Sequence, residues 1–256
     1  MPRLTDRAVI RRVLETDRAW ALYALGDLAP GFFEHSEWFC ASGAPALALL
    51  YRAFETPVLF TLGEASLLGA VLDEIGETRE MFLSIRPGVL PLVKDRYRVQ
   101  NETAMWRMIL DMPNHRSVNT REVERLGPAD LDDVEQLYGD GRPAGDAPDF
   151  FYASMLGQGV FCGIRDKGVL IAVAGTHLVS PQESVAAVGN VYTRRDRRAR
   201  GLAAHATSAV TSELLRLGLR TIGLNVNQQN LAAIRVYERL GYRKYCEFYE
   251  GMAIGR

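Results

Sequence analysis

Apolar residues along the chain alternate between helical and strand spacing. Val9, Ile10, Val13, Leu14 and Ala21 recur at helical intervals behind a capping Thr5, so a helix is expected from residue 5 until the pattern fades at residues 26–30. Short apolar runs at 37–41, 46–53 and 58–62 read as strands. A helix is predicted over 65–75, where Gly76 stops it, and a strand over 81–85. Residues 87–97 hold a short helix, since Pro91 is tolerated only near a helix start or a kink, and 104–112 reads as a strand. Residues 111–117, polar and containing Pro113, form the best linker candidate.

The second half opens with a strand at 121–126 and a helix started by Gly127-Pro128-Ala129-Asp130, with Leu131, Val134, Leu137 and Tyr138 on its buried face. Residues 139–149, rich in Gly, Asp and Pro, form a loop, and Asp149 would cap a helix over 150–156. A hairpin, 160–164 and 169–178, turns at Asp166-Lys167-Gly168. Strands at 185–193, 221–227 and 243–249 then alternate with helices at 202–217 and 231–240. The expected fold is α/β, a mixed twisted sheet with helices on both faces. The order of elements in the first half echoes the second, which suggests two tandem copies, 1–115 and 116–256, repeated in elements rather than residues.

Composition narrows the class. Hydrophobic residues make up 48% and charged residues 24%, as in an ordinary soluble protein. No apolar run is long enough to span a bilayer, and residues 1–7 lack the apolar core of a signal peptide. Three widely spaced cysteines, Cys40, Cys162 and Cys246, argue against a disulfide framework and fit a reducing cytoplasm. Neither they nor the four histidines have metal-ligand spacing, so no metal and no membrane partner are expected.

Charge is concentrated in one place. Five arginines fall within Arg194 to Arg200, between an apolar strand and an alanine-rich helix that begins after Gly201. A helix N-terminus offers unpaired N–H groups and the positive end of the dipole, and the arginines add to both. Gly201 lets the backbone approach a ligand because no Cβ intervenes. Such a turn suits a phosphate. A nucleic-acid protein would spread its basic charge over a face, so no nucleic-acid partner is expected. A solvated arginine run is the plainer alternative.

The pattern Arg198-x-x-Gly201-x-Ala203 after a strand resembles the pyrophosphate loop of GNAT-type N-acetyltransferases. Downstream, the stretch from Leu224 to Tyr242 resembles that family's second signature: a strand, Asn230, a helix carrying Tyr237, then Leu240-Gly241-Tyr242. The resemblance covers roughly residues 117–251. It implies acetyl-CoA as co-substrate, with the diphosphate on the amides of Arg198, Ala199, Arg200, Gly201, Leu202 and Ala203. It implies backbone pairing of the pantetheine arm with Val191, Tyr192 and Thr193, a carbonyl-polarising N–H near Val191, and a bulge at Gly189 and Asn190 that splays the strand. Tyr237 would be the general acid toward the leaving thiolate, with a half-buried packing tyrosine as its alternative. Asn230 would cap its helix, bond the pantetheine, or do both. Phe150, Phe151 and Tyr152 border the acceptor or pack in the core. His177 is a possible base, but none is assigned.

The expected activity is therefore N-acetyl transfer to a primary amine of a small molecule or amino acid. A catalytically silent acyl-CoA sensor or scaffold is the second reading. The two-part layout also resembles glycine N-acyltransferase-like proteins, which keeps small amino acids among the acceptors. In the first half Thr61-Leu62-Gly63-Glu64 stands where the arginine turn would be, and Glu64 would repel a phosphate. The first copy is therefore expected to be degenerate. The sequence gives no reading of the oligomeric state.

Overall fold

A computed structural model describes residues 3–40, 45–76, 78–118, 122–148 and 150–255. Ala41, Arg121 and Asp149, which the sequence reading used as element ends or caps, lie outside the described residues. The chain forms two compact units. The first comprises Met1–Arg107, Val226–Gln229 and Lys244–Arg256, and the second Met108–Asn225 and Asn230–Arg243. This division differs from a single cut after residue 115, because the C-terminal strand returns to the first unit.

In the first unit, helices α1 (Arg7–Leu14), α2 (Leu22–Gly26), α3 (Ala65–Asp73) and α4 (Leu90–Arg96) accompany strands β1 (Ser36–Cys40), β2 (Leu47–Tyr51), β3 (Val58–Leu62), β4 (Glu80–Ile85) and β5 (Tyr97–Leu110). Strand β11 (Tyr242–Gly255) completes the sheet, in the order β1-β2-β3-β4-β11-β5. Pairing is antiparallel for β1–β2, β2–β3 and β4–β11, and parallel for β3–β4, whose crossover is α3. Leu59, Leu68, Val71, Leu83, Ile85 and Ala253 centre the core under α3 and α4.

Three local outcomes differ from the sequence reading. Asp6, not Thr5, caps α1, because its carboxylate accepts from the amides of Ala8 (2.8 Å) and Val9 (3.2 Å). Strand β5 begins at Tyr97, where Arg98, Gln100 and Glu102 masked it; sheet pairing rather than side-chain pattern makes this strand. Strand β11 continues past Tyr249, pairing Tyr249–Ile254 with Glu80–Ile85.

In the second unit the strand order is β10-β9-β8-β7-β6, for β6 (Val123–Leu126), β7 (Phe161–Asp166), β8 (Val169–Ser180), β9 (Val185–Thr193) and β10 (Thr221–Asn227). Neighbours pair antiparallel except β9–β10, which is parallel. Helices α5 (Leu131–Gly139), α6 (Met155–Gln158), α7 (Leu202–Arg216) and α8 (Leu231–Arg239) flank them. Val134, Leu137, Phe161 and Val173 pack together with Tyr138 and Tyr192. The helix expected over 150–156 is only the short α6, starting at Met155.

The expected linker is docked rather than free. The amide of Asp111 donates to Gly241 O (2.9 Å) and that of Arg116 to Leu240 O (3.2 Å). Gly241 has φ +98, and a Cβ there would stand 2.6 Å from Asn114 O. The glycine of the Leu-Gly-Tyr corner thus has two reasons to be glycine, backbone conformation and close approach of another segment.

Candidate active site

Strand β9 leaves its parallel neighbour part-way along. The β9–β10 register runs from Val185–Thr221 to Val188–Leu224 and stops there, although β9 continues to Thr193 and β10 to Asn227. The cause lies at the next residues. Gly189 pairs with Gly175 and Tyr192 with Val173, so β9 carries an extra residue in this interval, and Asn190 takes φ +54. Tyr138, on the buried face of α5, donates its hydroxyl to Asn190 O at 2.9 Å and holds the bulge.

Register also decides which backbone groups face the gap. The amide of Arg194 donates to Ile171 O (2.9 Å), so Arg194 and Tyr192 turn their polar groups toward β8. By alternation, Val191 and Thr193 turn theirs the other way, toward the gap. Tyr192 therefore departs from its expected cofactor contact. Its backbone faces β8, its ring packs in the core, and its hydroxyl donates to Asp140 Oδ2 at 2.9 Å. Burial, then that bond, pushes its phenol up to about 12. Asn190 Oδ1 and Thr193 Oγ1 are buried with no hydrogen-bond partner among the described residues.

The arginine turn follows. Arg195–Arg197 make one tight helical turn, Ala199 takes φ +61, and Gly201, at the N-cap of α7, takes φ +79. A Cβ on Gly201 would meet nothing closer than the His205 ring at 3.8 Å, so conformation alone demands glycine here. Among the described residues, no hydrogen bond is donated by the amides of residues 199–204. These donors sit at the positive end of the 15-residue α7.

The arginines behave differently from a simple cationic cradle. Arg194 pairs with Asp196 (2.7 Å), Arg197 with Asp166 (2.9 Å), and Arg198 with Asp146 (2.7 Å). Arg198 also donates to Thr193 O (3.1 Å) and lies 5.2 Å above the Tyr192 ring. Asp140 accepts from the Arg195 amide at 2.9 Å, while the Arg195 side chain approaches Asp146 at 3.8 Å. The hydrogen bond from Arg198, reinforced by the charges of Arg198 and Arg195, holds the Asp146 carboxyl below its ordinary value. Arg198 is thus a brace for the turn, and Arg200, exposed and without an ion pair among the described residues, is its remaining cation. Asp140 and Asp146 were missed by sequence reasoning; the only signal was acidic residues in the loop after α5. Leu202 packs its side chain on Ile164, Ile171 and Ala172, leaving its amide for a ligand, and Ala203 is partly buried in the first turn.

On α8, Asn230 is the N-cap, its Oδ1 accepting from Ala233 N at 3.1 Å. That leaves its amide nitrogen for other partners. Tyr237 is 8% exposed and meets the Tyr242 ring edge-on at 6.2 Å. Burial pushes its phenol up to about 12. Tyr242 shares a 2.8 Å hydrogen bond with Thr211.

Of the three aromatic candidates for the acceptor side, Phe151 is structural, packed against Tyr138 (5.2 Å) and Phe161 (6.0 Å). Phe150 and Tyr152 are exposed and meet edge-on at 5.3 Å. His177 is the extra residue of a second irregularity, in β8, and its ring covers Gly189, where a Cβ would lie 2.3 Å from Nε2. Phe150 stands 6.0 Å from that imidazole. No group of three or more His, Cys, Asp or Glu side chains placed to hold a metal occurs among the described residues, nor is any helix there long and apolar enough to cross a membrane.

Comparisons with known proteins bear on the family and the fold. Residues 131–242 match the model of the Acetyltransferase (GNAT) family, so this segment is a GNAT-family domain. The whole chain is similar in fold to a GNAT-family protein from Novosphingobium aromaticivorans, with 22% identity and TM-score 0.64 over 94% of this chain and 100% of that one. A GCN5-related N-acetyltransferase from Kribbella flavida gives 18% identity and TM-score 0.63, covering 91% and 94%. A tandem GNAT protein from the clavulanic acid biosynthesis pathway gives 13% identity and TM-score 0.57, covering 98% and 97%. At these identities the likeness defines the fold alone. No curated protein matches the sequence.

Proposed function

We propose that the chain is an acetyl-CoA-dependent N-acetyltransferase acting on a primary amine of a small molecule or amino acid. The observation that carries this is the parting of β9 from β10 after Val188, with Val191 and Thr193 facing the gap and a row of unbonded amides at its end. The residues fit the group. The amides of Ala199 to Ala203 and the Arg200 side chain would hold a diphosphate, whereas the Arg198 amide already donates to Arg195 O (3.4 Å). Val191 and Thr193 would pair with the amide groups of the pantetheine arm, as an added strand does. Asn190 Oδ1 and Thr193 Oγ1 supply buried polar atoms in need of a partner.

Acetyl-CoA brings an acyl thioester, activated toward attack by an amine. The backbone N–H near Val191 would polarise the acyl carbonyl, a donation worth about 3 kcal/mol of barrier. Tyr237 would protonate the departing thiolate. Its raised phenol pKa keeps it in the acid form throughout the neutral range. Asn230 would cap α8 and offer its amide nitrogen to the pantetheine. His177, Phe150 and Tyr152 would border the acceptor amine.

The first unit is read as a degenerate copy of the same fold, retained as scaffold. Its crossover from β3 to α3 carries Glu64 where a phosphate-binding copy needs donors and cations.

Mass spectrometry of a mixed amine pool incubated with acetyl-CoA tests the reading, alongside the thermal shift on adding CoA. An N-acetylated amine with a CoA-induced rise in Tm is the expected result. A rise without product would leave an acyl-CoA binder rather than an enzyme. No rise would remove the proposal.

A further inference from the structure

We infer that the first unit holds a second ligand site, a receptor for a small organic carboxylate built on Arg107 and Arg86. Arg107, in β5, is 1% exposed. Its guanidinium carbon lies 4.7 Å from the Tyr23 ring centroid, 5.3 Å from that of Trp20 and 5.6 Å from that of Phe248. Among the described residues its Nε and Nη1 have no hydrogen-bond partner, and it forms no ion pair. Burial lowers its pKa, opposed in part by the nearby Tyr23, Cys246 and Glu250.

A second, independent feature points to the same place. Arg86 sets its guanidinium 5.3 Å from the same indole, and its Nε too is buried without an acceptor. Its Nη2 pairs with Asp17 at 2.7 Å, but Asp17 also accepts from Tyr245 Oη (2.6 Å) and from the Trp20 amide (3.2 Å). One carboxylate thus serves three groups while two guanidinia share one ring.

A buried cation without a counter-ion is costly, and two close together repel, so folding alone would favour apolar residues here. Cation–π contact offsets part of the cost but satisfies no N–H donor. Three donors therefore wait in a flat, aromatic-walled setting. A carboxylate can accept singly from Arg107 Nε or Nη1 and from Arg86 Nε, charge-assisted bonds that two arginines can supply together. The cluster reaches the surface through the part-exposed side chains of Arg86 and Tyr245.

The test uses the full chain, with sodium acetate and sodium benzoate titrated against sodium chloride at equal ionic strength. Wild-type Tm is expected to rise saturably with the carboxylates and not with chloride. Arg107→Met should leave the Tm without carboxylate unchanged or higher, abolish the carboxylate response, and keep the response to CoA. A wild type indifferent to both carboxylates overturns the inference. A response that persists in Arg107→Met also overturns it, as does a response shared equally by chloride. If Arg107→Met does not fold, the guanidinium Nε–H resonances of the wild type decide. Saturable movement of one or two of them with acetate supports the site, and no movement refutes it.

Discussion

The chain builds a parallel strand–helix–strand crossover twice, β3–α3–β4 in the first unit and β9–α7–β10 in the second, and finishes the two turns differently. Each turn has a glycine at positive φ, Gly63 at +118 and Gly201 at +79. A Cβ on Gly63 would stand 2.8 Å from both Ala46 Cα and Pro45 O, so the chain itself fills the space above that turn. Above Gly201 the space is open, and the amides that follow have no acceptor. Glu64, at the N-cap of α3, makes no capping bond, whereas the second turn is framed by arginines braced on aspartates. A glycine at positive φ is enclosed by the chain in one place and is followed by open amides in the other. They also differ in placement, since Gly63 precedes the N-cap of α3 and Gly201 is itself the N-cap of α7.

Exchanging the effects of these glycines tests that contrast most severely. Gly201→Glu should abolish CoA binding, about 100-fold or more, by strain at positive φ and a misplaced carboxylate, while the fold survives. Titration calorimetry with CoA measures it, and unchanged affinity would contradict the loop assignment. Gly63→Ala should do the reverse, destabilising by about 2 kcal/mol or more through backbone contact and strain, with CoA affinity per folded molecule intact. Denaturant melts read the first effect and calorimetry the second.

Next in size is Tyr237→Phe, which should lower kcat by about 10- to 100-fold while CoA affinity stays within twofold. Equal turnover at saturating amine would remove the phenol from the mechanism. The pH profile sharpens the same assignment. With its pKa pushed up to about 12 by burial, Tyr237 stays protonated, and therefore able to donate, through the usual assay range. The acid is lost only as pH rises through that value. The rate should climb as the acceptor amine deprotonates and show no falling limb below about pH 10. A fall centred near pH 8 would mean that another group supplies the proton.

The smallest effect compares two arginines of one turn. Arg200→Ala should weaken CoA binding about fivefold and flatten its salt dependence. Arg194→Ala, which removes a cation already paired with Asp196, should change affinity by less than about twofold. Equal losses would mean that summed charge, not individual placement, binds the ligand.

Much of this was legible beforehand because period and punctuation report local geometry. The order of strands and helices, the arginine turn and the glycine at its end follow from spacing along the chain, and Asn230 at the start of α8 came with the family resemblance. What stayed hidden depends on partners distant in sequence. Asp146 pairs with Arg198 and Asp140 accepts from the Arg195 backbone amide, each some fifty residues away, so a run that reads as cationic is largely braced by acidic partners. Tyr192 turns its backbone toward β8 because of register, which no local pattern encodes. Phe150, Phe151 and Tyr152 are alike as aromatics, yet Phe151 is partly buried against the core and the other two are exposed. Arg107 looks like an ordinary strand arginine until Trp20, Tyr23 and Phe248 are brought around it.

The late return of β11 to the first unit has a consequence for biosynthesis. Met81, Leu83 and Ile85 sit on a strand whose antiparallel mate is Tyr249 to Ile254. A nascent chain emerging from the ribosome has made all of the second unit's central helices before it can close that edge. Until then β4 presents a row of unsatisfied amides and carbonyls to whatever lies nearby. Chaperones that shield open sheet edges should therefore raise the yield of folded chain.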